Sequence, residues 1–268
     1  MHSLRALLSE FGWRRRAFSL VVLLTLGLFG LVAVVDGSEM LAAGLDHRIH
    51  DFTFSFLFAT AAAGVLAQLQ TPSKNVAGQL MTLIPWVALG LAFALTNTWV
   101  PWDLVAIFGV LTLVATFLHP TGRDLFRSSS VSRVNRVMLA LVIIAAVPLL
   151  AFASTNIGLQ RSVSNEHAAL GHYGFMAAFS FTVMGVGLLA SLRPDGWWLS
   201  AWVAGLLGAL FGLASVVFPD VDSSLGPIWA LAAIAWGVVF VAVAELTQDA
   251  ESPTLLGSWG IVSKSERG

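Results

Sequence analysis

The sequence predicts an all-α fold, a polytopic membrane bundle of eight transmembrane helices arranged as two parallel four-helix repeats. Of the 268 residues, 57% are hydrophobic and only 11% are charged, whereas a soluble domain carries about 25% charged residues. The hydrophobic residues form long runs, each near the length that crosses a bilayer as a helix. These runs are continuous rather than alternating, which favours helices over a membrane β-barrel.

Eight such runs follow one another along the chain, each about 18–22 residues long. They cover roughly residues 17–35, 51–69, 79–97, 100–118, 135–153, 172–192, 198–218 and 226–245. The first run is long and lacks a small-x-small cleavage site, so we expect a retained helix rather than a signal peptide. The third and fourth runs are joined by a tight turn at Pro101-Trp102-Asp103. Residues 1–268 form a single membrane domain, and residues 247–268 form a polar tail that we expect to be disordered.

The distribution of Lys and Arg predicts the orientation in the membrane. With the N-terminus in the cytoplasm, all of the 14 Lys and Arg residues except Arg48 and Arg161 lie on the inner side. Eight crossings return the C-terminus to the cytoplasm. The outer side then carries more acidic than basic residues and attracts cations. The alternative explanation is that the bias of basic residues towards the inside simply leaves the acids outside.

An internal repeat divides the chain into halves at about 17–120 and about 135–246. His50 and Pro72 in the first half recur at the same spacing as His172 and Pro194 in the second. Four crossings are an even number, so the two halves have the same orientation and are related by an axis along the membrane normal. We therefore expect the His50 and His172 imidazoles to lie at equal depth and to face each other.

Four of the 6 histidines begin two of the hydrophobic runs on the same side of the membrane. With the acids beside them, the candidate metal ligands are His47, His50, Asp51, Glu166, His167 and His172. His47 and His50 share a helical face because they are three residues apart, and Asp51 lies one turn after His47. His167 and His172 are five residues apart and share a face only if Gly171 interrupts the helix.

Three functions fit this set of side chains, and none is excluded by the spacing. Neutral imidazoles with nearby carboxylates bind Zn, Cu or Fe. Two opposed histidines, here His50 and His172, are typical axial ligands of haem b. Clustered histidines also sense protons near neutral pH. The structural alternative is that Asp and His at helix starts simply contact water at the membrane interface. We expect a structural role for His119, which precedes Pro120 at the end of the fourth run.

Several classes of function are excluded. The chain has no cysteine, which excludes disulfides, iron–sulfur clusters and cysteine nucleophiles. No Walker loop, dinucleotide fingerprint or GxSxG motif is present. A net charge of −1 gives no reason to expect a nucleic-acid partner. No charged residue falls near the predicted bilayer midplane, which argues against an ion-coupled transporter with a central carboxylate.

Two resemblances extend these expectations. The motifs Ser164-Asn-Glu166, Gly171-His172-Tyr173-Gly174 and Phe218-Pro219-Asp220 resemble bacterial multi-pass proteins of domain-of-unknown-function families. This resemblance covers about the last hundred residues and implies a bacterial plasma-membrane protein. The 4+4 layout with outer histidines also resembles haem A synthase. That family has ligands on its fourth and eighth helices, and the eighth run of this chain contains no histidine.

The leading function is therefore an extracytoplasmic metal or haem site, with redox chemistry as one use of it. One alternative is a transporter or permeation protein that uses the repeat axis. Another is a structural or assembly partner, as a homo-oligomer or within a membrane complex, in which the histidines are incidental.

Overall fold

A computed structural model describes residues 2–42, 47–98, 102–127 and 133–249. Within these residues the chain is entirely helical, as the sequence predicts, and no strand is present. The helices are α1 (His2–Ala42), α2 (Arg48–Ala67), α3 (Val76–Thr96), α4 (Trp102–Leu118), α5 (Arg136–Ser162), α6 (Glu166–Ala169), α7 (His172–Leu192), α8 (Trp197–Val217) and α9 (Gly226–Asp249). Short 3₁₀ helices at Pro72–Lys74 and Gly122–Arg127 follow α2 and α4.

Seven of the described helices are long and apolar enough to cross a membrane. They are α1, through its stretch Gly12–Val35, together with α2, α3, α5, α7, α8 and α9. The apolar part of α4, Val105–Leu118, is shorter than the others. The helices therefore indicate a multi-pass membrane protein, and the count of eight crossings stays a prediction.

The bundle has a buried centre and an apolar periphery. In α7 and α3, 72% and 67% of the most apolar stretch is buried, whereas in α1, α5 and α9 the share is 22%, 17% and 22%. The peripheral helices expose large aliphatic side chains such as Leu20, Ile143 and Ile228. A continuous apolar surface of this size is a liability in water, and it is the surface expected of helices that face lipid. The centre of the bundle, around α7, packs against α2, α3, α5 and α8.

The helix boundaries differ from the sequence prediction at four places. Helix α1 is longer than the run at 17–35, α5 continues to Ser162, and α9 continues to Asp249 into the predicted tail. The four-residue helix α6 was not predicted. The helices outlast the hydrophobic runs because polar residues continue a helix once it leaves the bilayer core. Pro101 of the predicted turn and residues 250–268 of the predicted tail lie outside the described residues.

His119 belongs to a polar network where α2 and α4 end and α3 begins. Its side chain is 1% exposed. Nδ1 lies 2.7 Å from Oγ1 of Thr121, and Nε2 lies 3.2 Å from Oε1 of Gln68. The amide of Gln68 donates in turn to the carbonyl oxygen of Asn75 at 3.0 Å. Burial lowers the pKa of His119 to about 4, and the neutral ring links α4 to the α2–α3 connection. From the sequence we expected His119 to act through the helix dipole at the end of α4, whereas the contacts here are hydrogen bonds of a neutral ring.

Candidate metal centre

The site lies at the end of the bundle where α2 and α7 begin, which we call the histidine end. His47 is the N-cap residue of α2, His50 lies in its first turn, and His172 is the first residue of α7. Helices α2 and α7 pack against each other. One turn into the membrane from His50, the hydroxyl of Thr53 lies 3.1 Å from Sδ of Met176. This packing brings the starts of the two helices to the same level.

Gly171 directs His167 towards the same place. Helix α6 ends just before it, and Gly171 adopts the left-handed conformation with φ of 74°, which glycine reaches without steric cost. The helix is therefore interrupted between His167 and His172, which is the condition that the sequence analysis set for the two rings to meet. Nδ1 of His167 lies 3.1 Å from Nδ1 of His172.

Two polar side chains hold this interruption in place. Asn165 caps α6 by accepting a hydrogen bond from the amide of Ala168 at 2.8 Å. Gln160, near the end of α5, donates to the carbonyl oxygen of Ala168 at 2.7 Å and accepts from the amide of Gly174 at 3.2 Å. The segment between α5 and α7 is thus fastened on both sides of His172, so the imidazoles are positioned by helices rather than by a free loop.

The four predicted histidines form one cluster. Ring centroids are 4.6 Å apart for His47 and His167, and 5.3 Å apart for His47 and His172. The His50 ring lies 4.5 Å from that of His167 and 5.0 Å from that of His172, which it faces at an interplanar angle of 23°. The last of these distances joins the two rings that the repeat predicted to face each other.

Three of the rings have the spacing of metal ligands. One nitrogen from each of His47, His167 and His172 lies within 4.8 Å of the other two. In a tetrahedral site with metal–nitrogen bonds of about 2.0–2.1 Å, nitrogens are about 3.3 Å apart and ring centroids about 5 Å apart. The observed Nδ1–Nδ1 distance of 3.1 Å is close to the first figure, and the three centroid distances of 4.6–5.4 Å bracket the second.

His50 and Asp51 add buried polar atoms without partners. His50 is 1% exposed, and neither of its ring nitrogens has a hydrogen-bond partner within the described part of the chain. Oδ2 of Asp51 is also buried without a hydrogen-bond partner among the described residues. The carboxylate of Asp51 interacts electrostatically with His47 and His167. A buried polar group without a hydrogen bond costs free energy. These three atoms lie beside the histidine triad.

The remaining predicted ligand, Glu166, lies apart from this arrangement. It is the first residue of α6, its side chain is exposed, and it is not part of the triad. At the start of a helix, a carboxylate is stabilised by the helix dipole. The metal-binding roles of all six residues stay predictions, because the geometry places the side chains without assigning an occupant.

Tyr173 was not among the predicted site residues. Its ring is 2% exposed and lies edge-on to His50, with centroids 5.8 Å apart. Its hydroxyl donates to Oδ2 of Asp222 at 3.1 Å and accepts from Nδ2 of Asn165 at 2.9 Å. Tyr173 therefore joins the histidine cluster to the α8–α9 loop. Its position next to His172, as the single tyrosine of the chain, was the available signal.

Comparisons of the chain with models of protein families, with curated proteins and with solved structures found no match.

Proposed function

We propose that this membrane protein binds a divalent transition-metal ion through His47, His167 and His172. The observation that carries the proposal is the mutual approach of one nitrogen from each ring to within 4.8 Å. Neutral imidazole is a ligand for Zn, Cu, Fe and Ni, whereas Mg and Ca prefer oxygen.

The geometry supports a metal ion better than haem b. Axial histidines bind haem iron from opposite faces of a flat macrocycle. The rings of His50 and His172 stack at 5.0 Å, and the ring of His167 packs against both of them, at 4.5 Å and 5.4 Å. A macrocycle between His50 and His172 would have to displace these rings, whereas a single ion fits among the nitrogens with small side-chain rotations.

Three protein ligands leave a coordination position open. Structural zinc sites use four protein ligands, whereas catalytic ones use three and hold water or substrate in the fourth position. His50 is the nearest candidate for that fourth position or for a hydrogen bond to the group that fills it. Asp51 supplies negative charge beside His47 and His167, which favours a cation. We leave Glu166 out of the ligand set because its side chain is exposed.

The location of the site follows from orientation. We infer from the positive-inside bias that the histidine end lies on the outer face of the membrane, with both termini in the cytoplasm. A bacterial plasma membrane is what the resemblance to bacterial multi-pass proteins implies. Helix packing supports the eight-crossing, two-repeat organisation in which α6 is a short surface helix. In the first half, α1 and α3 each pack against both α2 and α4. In the second half, α5 and α8 each pack against both α7 and α9. The two halves meet chiefly through α2, α3, α7 and α8.

The test is metal analysis of the full-length protein, purified in detergent and supplied with Zn²⁺ or Co²⁺. We expect about one ion per chain, and visible absorption bands of four-coordinate Co²⁺ from an imidazole-rich site. The triple variant His47→Ala/His167→Ala/His172→Ala is expected to lose both. His50→Ala is expected to retain the ion, because three ligands remain.

The control is His119→Ala, which removes a buried histidine at the other end of the bundle. It should leave the metal content unchanged. Equal metal content in the wild type and the triple variant would overturn the proposal. If the wild type shows a Soret band that both His50→Ala and His172→Ala abolish, the ligand of the cluster is haem and the proposal of a metal ion is wrong.

A further inference from the structure

A cavity lies at the end of the bundle opposite the histidine cluster, where α7 ends and α8 begins. We call this end of the bundle the basic end. The volume of the cavity is about 640 Å³, and it is lined by Lys74, Arg133 and the segment from Arg193 to Trp197. Helix α7 separates it from the histidine end by 21 residues, or roughly 30 Å at 1.5 Å per residue. It is therefore independent of the metal centre.

Backbone hydrogen bonds hold the three segments of this cavity together. The amide of Ala77 donates to the carbonyl oxygen of Asp195 at 2.9 Å, and the amide of Asn135 donates to that of Ser191, also at 2.9 Å. The first bond ties the start of α3 to the α7–α8 turn, and the second ties the start of α5 to the end of α7. The side chains around the cavity are thus carried by a fixed frame, which lowers the entropic cost of binding.

The cavity is positively charged. Three cationic side chains, those of Lys74, Arg133 and Arg193, face one carboxylate, that of Asp195. Arg133 forms a 3.0 Å ion pair with Asp195 in which both side chains are about half exposed. Arg193 is 8% exposed, and its guanidinium carbon lies 4.1 Å above the ring of Trp197. The guanidinium of Arg193 also donates to the carbonyl oxygen of Thr247 at 3.3 Å. The lining of the cavity therefore holds more basic than acidic side chains.

Tryptophans mark the level of this cavity in the membrane. The indole nitrogens of Trp198 and Trp202, in the first turns of α8, donate to Oε1 of Glu245 at 2.7 Å and 2.5 Å. Trp198 is 39% exposed. Tryptophan is enriched at the depth of the lipid headgroups. The cavity thus opens where lipid phosphates lie, and its charge is complementary to theirs.

We propose that this cavity binds the phosphate of an anionic phospholipid, with Lys74 and Arg133 at its exposed rim and Arg193 within it. Arg presents a planar fork of donors to phosphate, and Lys a compact charge. Basic pockets between transmembrane helices are suited to anionic headgroups.

The test uses the full-length protein in vesicles of phosphatidylcholine with a minor fraction of phosphatidylglycerol. Lipids retained after detergent extraction are counted by native mass spectrometry. We expect the wild type to retain phosphatidylglycerol in preference to phosphatidylcholine. The double variant Lys74→Gln/Arg133→Gln should lower that preference by up to about 25-fold, since each of the two basic residues near the surface contributes about a fivefold preference.

The matched control is Arg15→Gln/Arg127→Gln, which removes two exposed basic residues outside the cavity. It should keep the wild-type preference. The charge-conserving variant Lys74→Arg/Arg133→Lys should keep most of it, which separates loss of charge from loss of folding. Equal preference in the two Gln variants would overturn the proposal. Displacement of the lipid by millimolar inorganic phosphate would also overturn it, because the site would then recognise free phosphate.

Discussion

His50 and His119 are buried to the same extent, and their surroundings differ. Each side chain is 1% exposed. Both ring nitrogens of His119 have partners, in Thr121 and Gln68. Neither ring nitrogen of His50 has one among the described residues, and its neighbours are three other imidazole or phenol rings at 4.5–5.8 Å.

The difference separates a structural histidine from a candidate functional one. Folding removes the water that each imidazole held in the unfolded chain, and His119 replaces it with protein hydrogen bonds. His50 recovers none of it in this arrangement, which costs about 1–3 kcal/mol for a buried polar group left unsatisfied. The proposed ligand of the histidine cluster would give His50 a partner and offset this cost.

The largest expected effect compares the histidine cluster around His50 with His119. His172→Ala should weaken Zn²⁺ binding by about 100-fold or more, since even substitutions that only orient a ligand cost about 10- to 100-fold. His119→Ala should leave the affinity within about twofold, because its ring contacts Gln68 and Thr121 some 30 Å away. Competition with a chromophoric chelator measures both dissociation constants.

Folding must be checked in the same samples, because His119→Ala removes partners of buried polar groups. Size-exclusion chromatography and thermal unfolding of the metal-free variants serve this purpose. If both substitutions weaken Zn²⁺ binding equally, the effect is one of general stability, and the contrast between the two histidines fails.

The fold was predictable from the sequence to the extent that the bilayer dictates it. A helix must bury about 20 apolar residues to cross the hydrocarbon core, so the hydrophobic runs located α2, α3, α7, α8 and α9 within a few residues. The segment between α5 and α7 was not predictable in this way. The final turns of α5 and the whole of α6 lie beyond the hydrophobic runs, and Gln160 holds them through tertiary hydrogen bonds to Ala168 and Gly174.

The candidate site was predictable in its residues but not in its geometry. Helix starts on one side of the membrane were enough to group His47, His50, His167 and His172. Which nitrogens meet depends on the turn at Gly171 and on the packing of α2 against α7. The sequence favoured His50 and His172 as the pair, whereas the triad with ligand spacing replaces His50 with His47 and His167. Asp222 reaches the site through Tyr173, across 49 residues of sequence, and no local pattern shows that contact.

The second expected effect is the pH dependence of the free energy of unfolding, and it concerns His119. Burial lowers the pKa of His119 from 6.5 to about 4. Between these values the unfolded chain binds a proton that the folded chain does not, so stability falls as pH falls. From pH 7 to pH 5 this ring should remove about 2 kcal/mol from the free energy of unfolding.

Denaturant unfolding of the metal-free protein and of His119→Gln at both pH values isolates this contribution. The other histidines titrate in both proteins, so the difference between them reports on His119. We expect the variant to lose about 2 kcal/mol less than the wild type over this range. Equal losses would show that His119 is protonated in the folded protein, and its role as a neutral link would be wrong.

The smallest expected effect concerns the turn that makes the histidine cluster different from an ordinary helix start. Gly171→Ala places a Cβ on a residue with φ of 74°, which costs about 1–2 kcal/mol for an L-residue. Relief of that strain would move His167 away from His172, so Zn²⁺ affinity should fall about tenfold, which corresponds to about 1.4 kcal/mol.

The matched control is Gly158→Ala in α5, where nothing lies within 4 Å of the added Cβ and an alanine is favoured over glycine by up to about 1 kcal/mol. Unfolding and chelator competition measure both variants. If Gly171→Ala lowers stability but leaves the affinity at the wild-type value, His167 is not a ligand and the triad must be redrawn with His50 in its place.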